Sequence, residues 1–352
     1  MKRIVVTVEQ LARPAPGGIA TYVRGLVSGL VALDADVIGL GPRRPAPTAL
    51  GAPSLGVRVP VAVLSRLWSR WPLGVPGDAA VVHATTIAGP YAGGSRGAVH
   101  SVALHDLLWR DEPESSTRSG ASYHESRLRA LRGRGDVRVF TTSPLLDERL
   151  VAEGFERDRL RRVRLGVDEA VNAATKEDVA AALAGRGVVG PFTLFAGTRE
   201  PRKNLAALAT AHRAALAEAP ALGPLVLVGP AGWGRVDAPG ATDLGVVSRD
   251  VLLGLYRDAS VVAYVPRAEG WGLPPVEALA RGARVVASSA TPSVADNPEA
   301  VVVDALDVSA IGEGLCHAVT LDDDDAARAR RRDSVAGLTW HASALDHVAG
   351  WA

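Results

Sequence analysis

Residues 268–288 read Ala-Glu-Gly-Trp-Gly-Leu-Pro-Pro-Val-Glu-Ala-Leu-Ala-Arg-Gly-Ala-Arg-Val-Val-Ala-Ser. Two carboxylates, Glu269 and Glu277, stand about two helical turns apart, with a glycine-containing turn and a proline pair between them. Proline is favoured in the first helical turn, where its missing N–H has no partner to lose, so the pair reads as a helix start. A glycine-rich turn feeding a helix N-terminus is an anion site. Backbone N–H groups without intrahelical partners and the positive end of the dipole both face a ligand there. Carboxylates beside such a site make sense if they hold hydroxyls rather than charge, and sugars and riboses supply hydroxyls. A second stretch, Phe195-Ala-Gly-Thr-Arg-Glu-Pro-Arg-Lys-Asn-Leu205, follows an apolar run and precedes a helical pattern. Gly197 permits close backbone approach. Arg202 and Lys203 place two cations at the loop exit, suited to a diphosphate. Taken alone, this second stretch reads as an ordinary strand–loop–helix turn with surface bases.

The elements that must position these groups follow from composition and period. The chain has 352 residues, enough for two domains. Its residues are 47% hydrophobic but only 5% aromatic, which suits parallel strands covered by helices on both faces. A net charge of +1 gives no electrostatic argument for nucleic-acid binding. Cys316 is the only cysteine, so no intrachain disulfide forms and a reducing cytosol is expected. The first apolar run is too short for a signal peptide, and none approaches the roughly 20 residues of a membrane span. Any membrane contact is then peripheral, on the inner face.

Short apolar runs alternate with helical patterns. Strands are expected at 4–8, 37–40, 79–83, 98–104, 137–141 and 160–165, with helices at 19–33, 115–134 and 143–153. After a weakly patterned connection at 170–190, a second series begins. Its strands are expected at 192–196, 224–228, 243–246, 261–265, 284–287 and 301–303, with helices at 205–218, 251–258 and 275–282. This is an α/β chain of two Rossmann-like, doubly wound parallel-sheet domains, whose ligands belong at the carboxyl ends of the strands, facing a cleft. The predicted division is 1–168, 169–337, and a tail helix at 338–352 that packs across the domain junction.

The two loops, in this order, resemble those of the GT-B glycosyltransferases of family 4, a retaining group. The family shows a Gly-Thr-x-Glu-x-Arg-Lys-Asn loop followed by Glu-Gly-Phe-Gly-Leu-Pro-x-x-Glu-Ala. Here the second pattern stands as Glu269-Gly270-Trp271-Gly272-Leu273-Pro274-Pro275-Val276-Glu277-Ala278, with Trp271 in place of Phe. More loosely, Gly17-Gly18-Ile19-Ala20-Thr21-Tyr22 is similar to the family's N-terminal Gly-Gly loop. His105-Asp106-Leu107 resembles its His-Asp-Leu, and Leu165-Gly166-Val167-Asp168 its Asn-Gly-Val-Asp. Val228-Gly229-Pro230-Ala231-Gly232-Trp233-Gly234 resembles a strand exit of mannosyltransferase-like members. Two departures stand out. Thr198 stands where many relatives carry a further Arg in the phosphate loop, which leaves the cationic work to Arg202 and Lys203, and the stretch 289–299 is remodelled, which concerns donor-base recognition.

The resemblance implies transfer of a hexose, mannose from GDP-mannose favoured, from a nucleoside diphosphate to a hydroxyl of a carbohydrate, lipid-linked or small-molecule acceptor. UDP-glucose and UDP-GlcNAc are the alternative donors. It assigns catalysis to Glu269, His105, Lys203 and Arg202. It assigns the donor to Gly17, Gly18, Gly197, Thr198, Trp271, Gly272, Leu273 and Glu277, with Glu269 on the sugar and Glu277 on the ribose. No cofactor is implied. No Asp-x-Asp clamp stands in a suitable loop, so cationic side chains take the metal's role. A dinucleotide oxidoreductase fits less well, because Pro14-Ala-Pro-Gly-Gly lacks the Gly-x-Gly-x-x-Gly spacing. A binding-only relative would have lost Glu269, Lys203 or His105. A sugar-nucleotide epimerase or a phosphorylase of the same fold stays open. So do a core or stacking role for Trp109, a structural or lining role for His83 and His100, and a solvated or lipid-facing role for Arg127, Arg129, Arg132 and Arg134.

Overall fold

A computed structural model describes residues 3–13, 17–43, 50–91, 97–167, 173–232, 234 and 236–352. Pro14, Asp168 and Trp233, which the sequence motifs include, lie outside the described residues. The chain forms two compact units. The first comprises residues 1–110, 116–166 and 338–352; the second comprises 111–115 and 167–337.

The first unit runs β1 (Arg3–Thr7), α1 (Gly17–Ala32), β2 (Val37–Pro42), β3 (Ser54–Val57), α2 (Val61–Leu67), β4 (Ala79–Ala84) and β5 (Val99–Ala103). It continues with α3 (Leu108–Asp111), α4 (Arg118–Arg132), β6 (Val137–Thr141), α5 (Pro144–Ala152) and β7 (Leu160–Arg162). The second unit runs α6 (Lys176–Ala184), β8 (Thr193–Ala196), α7 (Leu205–Glu218), β9 (Leu225–Val228), β10 (Thr242–Gly245), α8 (Arg249–Asp258) and β11 (Val261–Tyr264). It ends with α9 (Leu273–Leu279), β12 (Val285–Ser288), β13 (Ala300–Val303), α10 (Val308–Thr320) and α11 (Asp325–Asp333). The chain then returns to the first unit as α12 (Trp340–Trp351).

Both sheets are parallel, ordered β3-β2-β1-β4-β5-β6-β7 and β10-β9-β8-β11-β12-β13. In each, the strand order reverses between two central strands, β1 and β4 in the first and β8 and β11 in the second. Loops leaving such a pair diverge to opposite faces and open a crevice at the strands' carboxyl ends. The central strands are buried on both faces, as the Val-Val-Ala-Tyr of β11 is, so parallel pairing buries nearly continuous apolar runs.

The expected alternation of strands and helices holds, with β3, α2, the one-turn α3 and α10 outside it. β3 is an exposed edge strand made by pairing with β2, so it carries no apolar run that sequence could flag. α2 falls in the stretch where Pro and Gly mask its period. α10 was not expected; it packs against α7 and covers the second core through Ile311, Leu315 and Ala318. Cys316, the only cysteine, is half-buried on that helix. The acidic run at 322–325 serves structure. Asp324 caps α11 through the amide of Ala327 at 2.7 Å, and Asp323 pairs with Arg328 and Arg331. The tail helix packs on α1: a side chain at Gly25 or Gly29 would collide with Trp340.

Candidate active site

In the second unit the site grows from the switch between β8 and β11. The loop leaving β8 passes Gly197, where φ is 153°, and Thr198, and reaches a 3-10 turn over Pro201–Lys203. The close approach is real at the neighbouring strand exit, where a side chain on Gly229 would overlap the Gly197 carbonyl. The loop leaving β11 carries Glu269. The two loops are stitched together: the Arg267 amide donates to the Arg202 carbonyl at 2.8 Å, and the Arg202 side chain, through Nη1, donates to the Ala268 carbonyl at 3.2 Å.

Their side chains converge on one oxygen. Glu269 Oε2 accepts from Arg202 Nη1 at 3.0 Å, from Tyr264 OH at 2.5 Å, and from Lys203 Nζ. Lys203 also donates to the Tyr264 hydroxyl and lies 4.7 Å from the centre of its ring. Glu200, buried, accepts from Arg202 Nε at 2.9 Å. Two cations and two carboxylates thus balance within a buried cluster. Burial alone would raise the Glu269 pKa, but Lys203 and Arg202 outweigh it and hold the carboxyl well below the usual range. Burial pulls the Lys203 pKa down, and Glu269 opposes this. Sequence had read Arg202 and Lys203 as phosphate cations and Glu269 as a sugar ligand; it did not show that they are one another's partners. Tyr264 was missed, since a Tyr ending an apolar run reads as core.

Glu277 sits apart, on α9. Its Oε1 accepts from Arg249 Nη2 at 2.7 Å and its Oε2 from Tyr256 OH at 3.2 Å, both from α8. Between the two glutamates the chain turns through Gly272 at φ 93°, where a side chain would strike Thr291. Ser293 closes the turn, its Oγ donating to the Gly272 carbonyl at 2.6 Å and its amide to the Trp271 carbonyl at 3.0 Å. The remodelled stretch after Ser288 therefore buttresses the turn that begins α9 at Leu273. The Trp271 indole N–H is buried without an acceptor; nothing in the structure explains why Trp replaces Phe there.

In the first unit, Gly17 opens α1 at φ 59°, and Gly17 and Gly18 are both exposed. His105 follows β5. Its Nε2 donates to the Thr85 carbonyl at 2.9 Å, and its ring meets Tyr22 edge-on at 5.0 Å. Because a carbonyl only accepts, the Nε2 carries the proton and Nδ1 offers a lone pair. Burial lowers the His105 pKa, with Thr85 and Asp106 opposing.

Tyr22 joins His105 to a buried relay. The Trp351 indole and His83 Nδ1 each lie 2.9 Å from Ser101 Oγ, Tyr22 OH lies 2.7 Å from His83 Nε2 and 2.8 Å from His347 Nε2, and His347 Nδ1 lies 2.7 Å from the Ser343 carbonyl. The ends fix its direction. Ser343 requires a proton on His347 Nδ1, so His347 Nε2 takes the single Tyr22 proton. His83 Nε2 must then donate to Tyr22, and Ser101 donates to His83 Nδ1. His83 is thus structural. His100 is buried, and among the described residues neither ring nitrogen has a hydrogen-bond partner. Trp109 is core: its indole donates to Glu125 at 2.7 Å and stacks on His124. The basic helix face is corrected in part. Arg127 is 2% exposed, donates to the Ile87 and Gly89 carbonyls and covers Tyr91, so it faces inward; Arg134 pairs with Asp136.

Part of the chain is similar to known proteins. The model of the family "Glycosyl transferases group 1" matches residues 190–320, which contain the loops carrying Lys203, Glu269 and Glu277. Over these residues the chain is similar to the group 1 glycosyltransferases. The O-antigen chain mannosyltransferase B of Escherichia coli is 32% identical over 164 residues, a match that spans 42% of each protein. Both units together have the GT-B fold. Sucrose-phosphate synthase from Thermosynechococcus elongatus superposes with a TM-score of 0.77 at 19% identity, covering 99% of this chain and 98% of that one. Anabaena HepE, solved with UDP and glucose, gives 0.73 at 16% identity, with the same coverage. Among the described residues, no group of three His, Cys, Asp or Glu side chains gathers as a metal site, and no helix is long and apolar enough to cross a membrane.

Replacing Glu277 by Gln tests its assignment. If the carboxylate accepts from ribose hydroxyls, losing a bond to a charged group weakens nucleoside diphosphate binding about tenfold or more. Calorimetry with GDP and UDP that returns wild-type affinity for both would leave Glu277 as a tie between α8 and α9.

Proposed function

We propose that this glycosyltransferase moves a hexose, mannose from GDP-mannose, to an acceptor hydroxyl with retention at the anomeric carbon. The observation that carries this reading is the convergence of Arg202, Lys203 and Tyr264 on one oxygen of Glu269 at the switch point of the second sheet. Departure of the diphosphate builds negative charge on its bridging oxygen and positive charge on the sugar. Catalysis comes from groups fixed in advance where that charge appears. Arg202 and Lys203, already oriented, meet the diphosphate. Glu269 accepts from sugar hydroxyls through Oε1, which among the described residues accepts from the Gly270 amide at 3.2 Å. Glu277 takes the ribose, the Gly17 and Gly18 amides a phosphate, and the Nδ1 lone pair of His105 a sugar hydroxyl. The acceptor attacks from the face the diphosphate leaves, and the departing phosphate takes its proton.

The E. coli mannosyltransferase supports the choice of sugar. Anabaena HepE, solved also with UDP-glucose, supports the second reading, a UDP-glucose donor. A thermal-shift panel of GDP-mannose, UDP-glucose and UDP-GlcNAc separates them. A ligand at one hundred times its Kd stabilises by about 2.7 kcal/mol, a displacement of several degrees. GDP-mannose is expected to give the largest shift. A larger shift with UDP-glucose replaces the mannose assignment, and no shift with any sugar nucleotide removes the function.

A further inference from the structure

The first sheet has its own switch point, between β1 and β4, and the functions assigned so far leave one group there unexplained. Glu9 begins a short 3-10 turn directly after β1 and is fully buried. Its Oε1 accepts from the Thr86 hydroxyl at 2.9 Å. Its Oε2 is buried with no hydrogen-bond partner among the described residues. Thr86 lies just past the end of β4, and the preceding residue, Thr85, supplies the carbonyl that holds His105. Thr85 is in turn pinned to β1: its amide reaches Thr7 Oγ1 at 3.0 Å and its hydroxyl donates to the Thr7 carbonyl at 2.9 Å. Glu9 and His105 are therefore fixed to adjacent residues of one rigid strand end.

An ionised carboxylate has about four acceptor positions, and burying one with a single donor is unfavourable. Anchoring the turn does not require it. A glutamine would accept from Thr86 equally well and leave no charge under-satisfied. A buried group that is poorly satisfied by its own protein, at the carboxyl ends of a parallel sheet, is poised for a ligand that brings the missing donor. The ligand's chemistry is narrow. The partner must donate a hydrogen bond to a carboxylate whose other oxygen is held by a neutral hydroxyl, and no second acidic or ligating group joins it to form a metal site among the described residues. Sugar and polyol hydroxyls have this character.

We propose that Glu9 is the carboxylate of an acceptor subsite in the first unit, its Oε2 accepting from a hydroxyl of a sugar or polyol acceptor, with Thr86 fixing its orientation. This rests on the glycosyltransferase reading above, and the test separates the two. Glu9→Gln keeps the Thr86 bond and the side-chain shape but puts a donor where a hydroxyl must donate. The probes are GDP-mannose and UDP-glucose as donors, with glycerol and the methyl α-glycosides of mannose, glucose, galactose and rhamnose as acceptors. Transfer is read as radiolabelled product, and donor hydrolysis by water is read in parallel. The variant is expected to lose tenfold or more in transfer to the best acceptor. Its donor hydrolysis and donor-induced thermal shift should stay at wild-type levels, and its unfolding midpoint should hold or rise. Transfer within twofold of wild type overturns the subsite. So does equal loss of transfer, hydrolysis and donor binding, which marks a structural residue. If no probe raises wild-type donor turnover above hydrolysis, the ligand class is wrong. Failure of the wild type to bind any donor is the separate result that removes the function itself.

Discussion

Replacing Lys203 by Met is expected to lower turnover at saturating donor by about two to three orders of magnitude, the usual loss when one charge-stabilising donor is removed. Lys203 is 5% exposed and bonded to Glu269 and Tyr264, so a second account competes. The lysine could serve only as counter-ion to a buried carboxylate. Breaking a buried pair by removing one partner costs about 3–5 kcal/mol. The cost here is smaller, because Arg202 and Tyr264 still reach Glu269. The single variant confounds lost stability with lost catalysis, and the pair Lys203→Met with Glu269→Gln separates them. Neutralising both partners leaves no uncompensated carboxylate, so the unfolding midpoint should recover most of what the single change lost. Turnover should not recover, because the cation for the leaving diphosphate and the carboxylate for the sugar are both gone. A double variant that regains turnover along with stability would reduce the cluster to a structural ion pair. Glu269→Ala should be comparably inactive while nucleoside diphosphate binding survives; calorimetry in which binding disappears would exchange the roles of Glu269 and Glu277.

What sequence could reveal about this site follows from how local each interaction is. The Lys203 loop and the Glu269 turn are continuous stretches with fixed glycine and proline positions, so their residue types alone suggested anion and hydroxyl chemistry. The strand–helix alternation was legible for the same reason: a buried parallel strand such as β11 is an unbroken apolar run. The partners were not legible, because they come from elsewhere in the chain. Arg249 and Tyr256 hold Glu277 from a helix whose amphipathic period explains both without function. Tyr264 is one more apolar-run aromatic until β8 and β11 are known to be neighbours. Glu9 gives the sharpest case. A lone acid after a strand carries no pattern, and it acquires meaning only when the sheet order puts it beside Thr86, in a place where burial makes its second oxygen costly. The inward turn of Arg127 was hidden likewise: a basic helix does not reveal which of its arginines meets carbonyls across the unit.

Acid is expected to destabilise the first unit well before its carboxylates are titrated. Burial pushes the His347 pKa down to about 4, with the Ser343 carbonyl and Asp346 partly opposing, and burial lowers His83 well below its ordinary value. The groups facing the relay are Tyr22 from α1, His83 from β4, His105 beyond β5, and Asp346 on the tail helix itself. In the unfolded chain each imidazole titrates near 6.5. Between pH 6.5 and 4 the unfolded state therefore binds more protons than the folded state, and stability falls as pH falls through that window. His347 alone accounts for about 3 kcal/mol across it, at 1.36 kcal/mol per pH unit, and His83 adds in the same direction. That is a large share of the roughly 5–15 kcal/mol that holds a typical domain folded. His347→Gln isolates the effect, since its amide oxygen can take the Tyr22 proton but does not titrate. At pH 7 it should be less stable than wild type by about 1 kcal/mol, from imperfect geometry and lost stacking on Phe140. Near pH 4.5 the order should reverse or vanish. Urea midpoints measured from pH 4 to 8 give the comparison directly. Parallel curves for the two proteins would mean that His347 is not the group whose buried neutrality sets acid stability. A flatter curve for the variant ties the tail helix, through Tyr22, to the ring against which His105 packs.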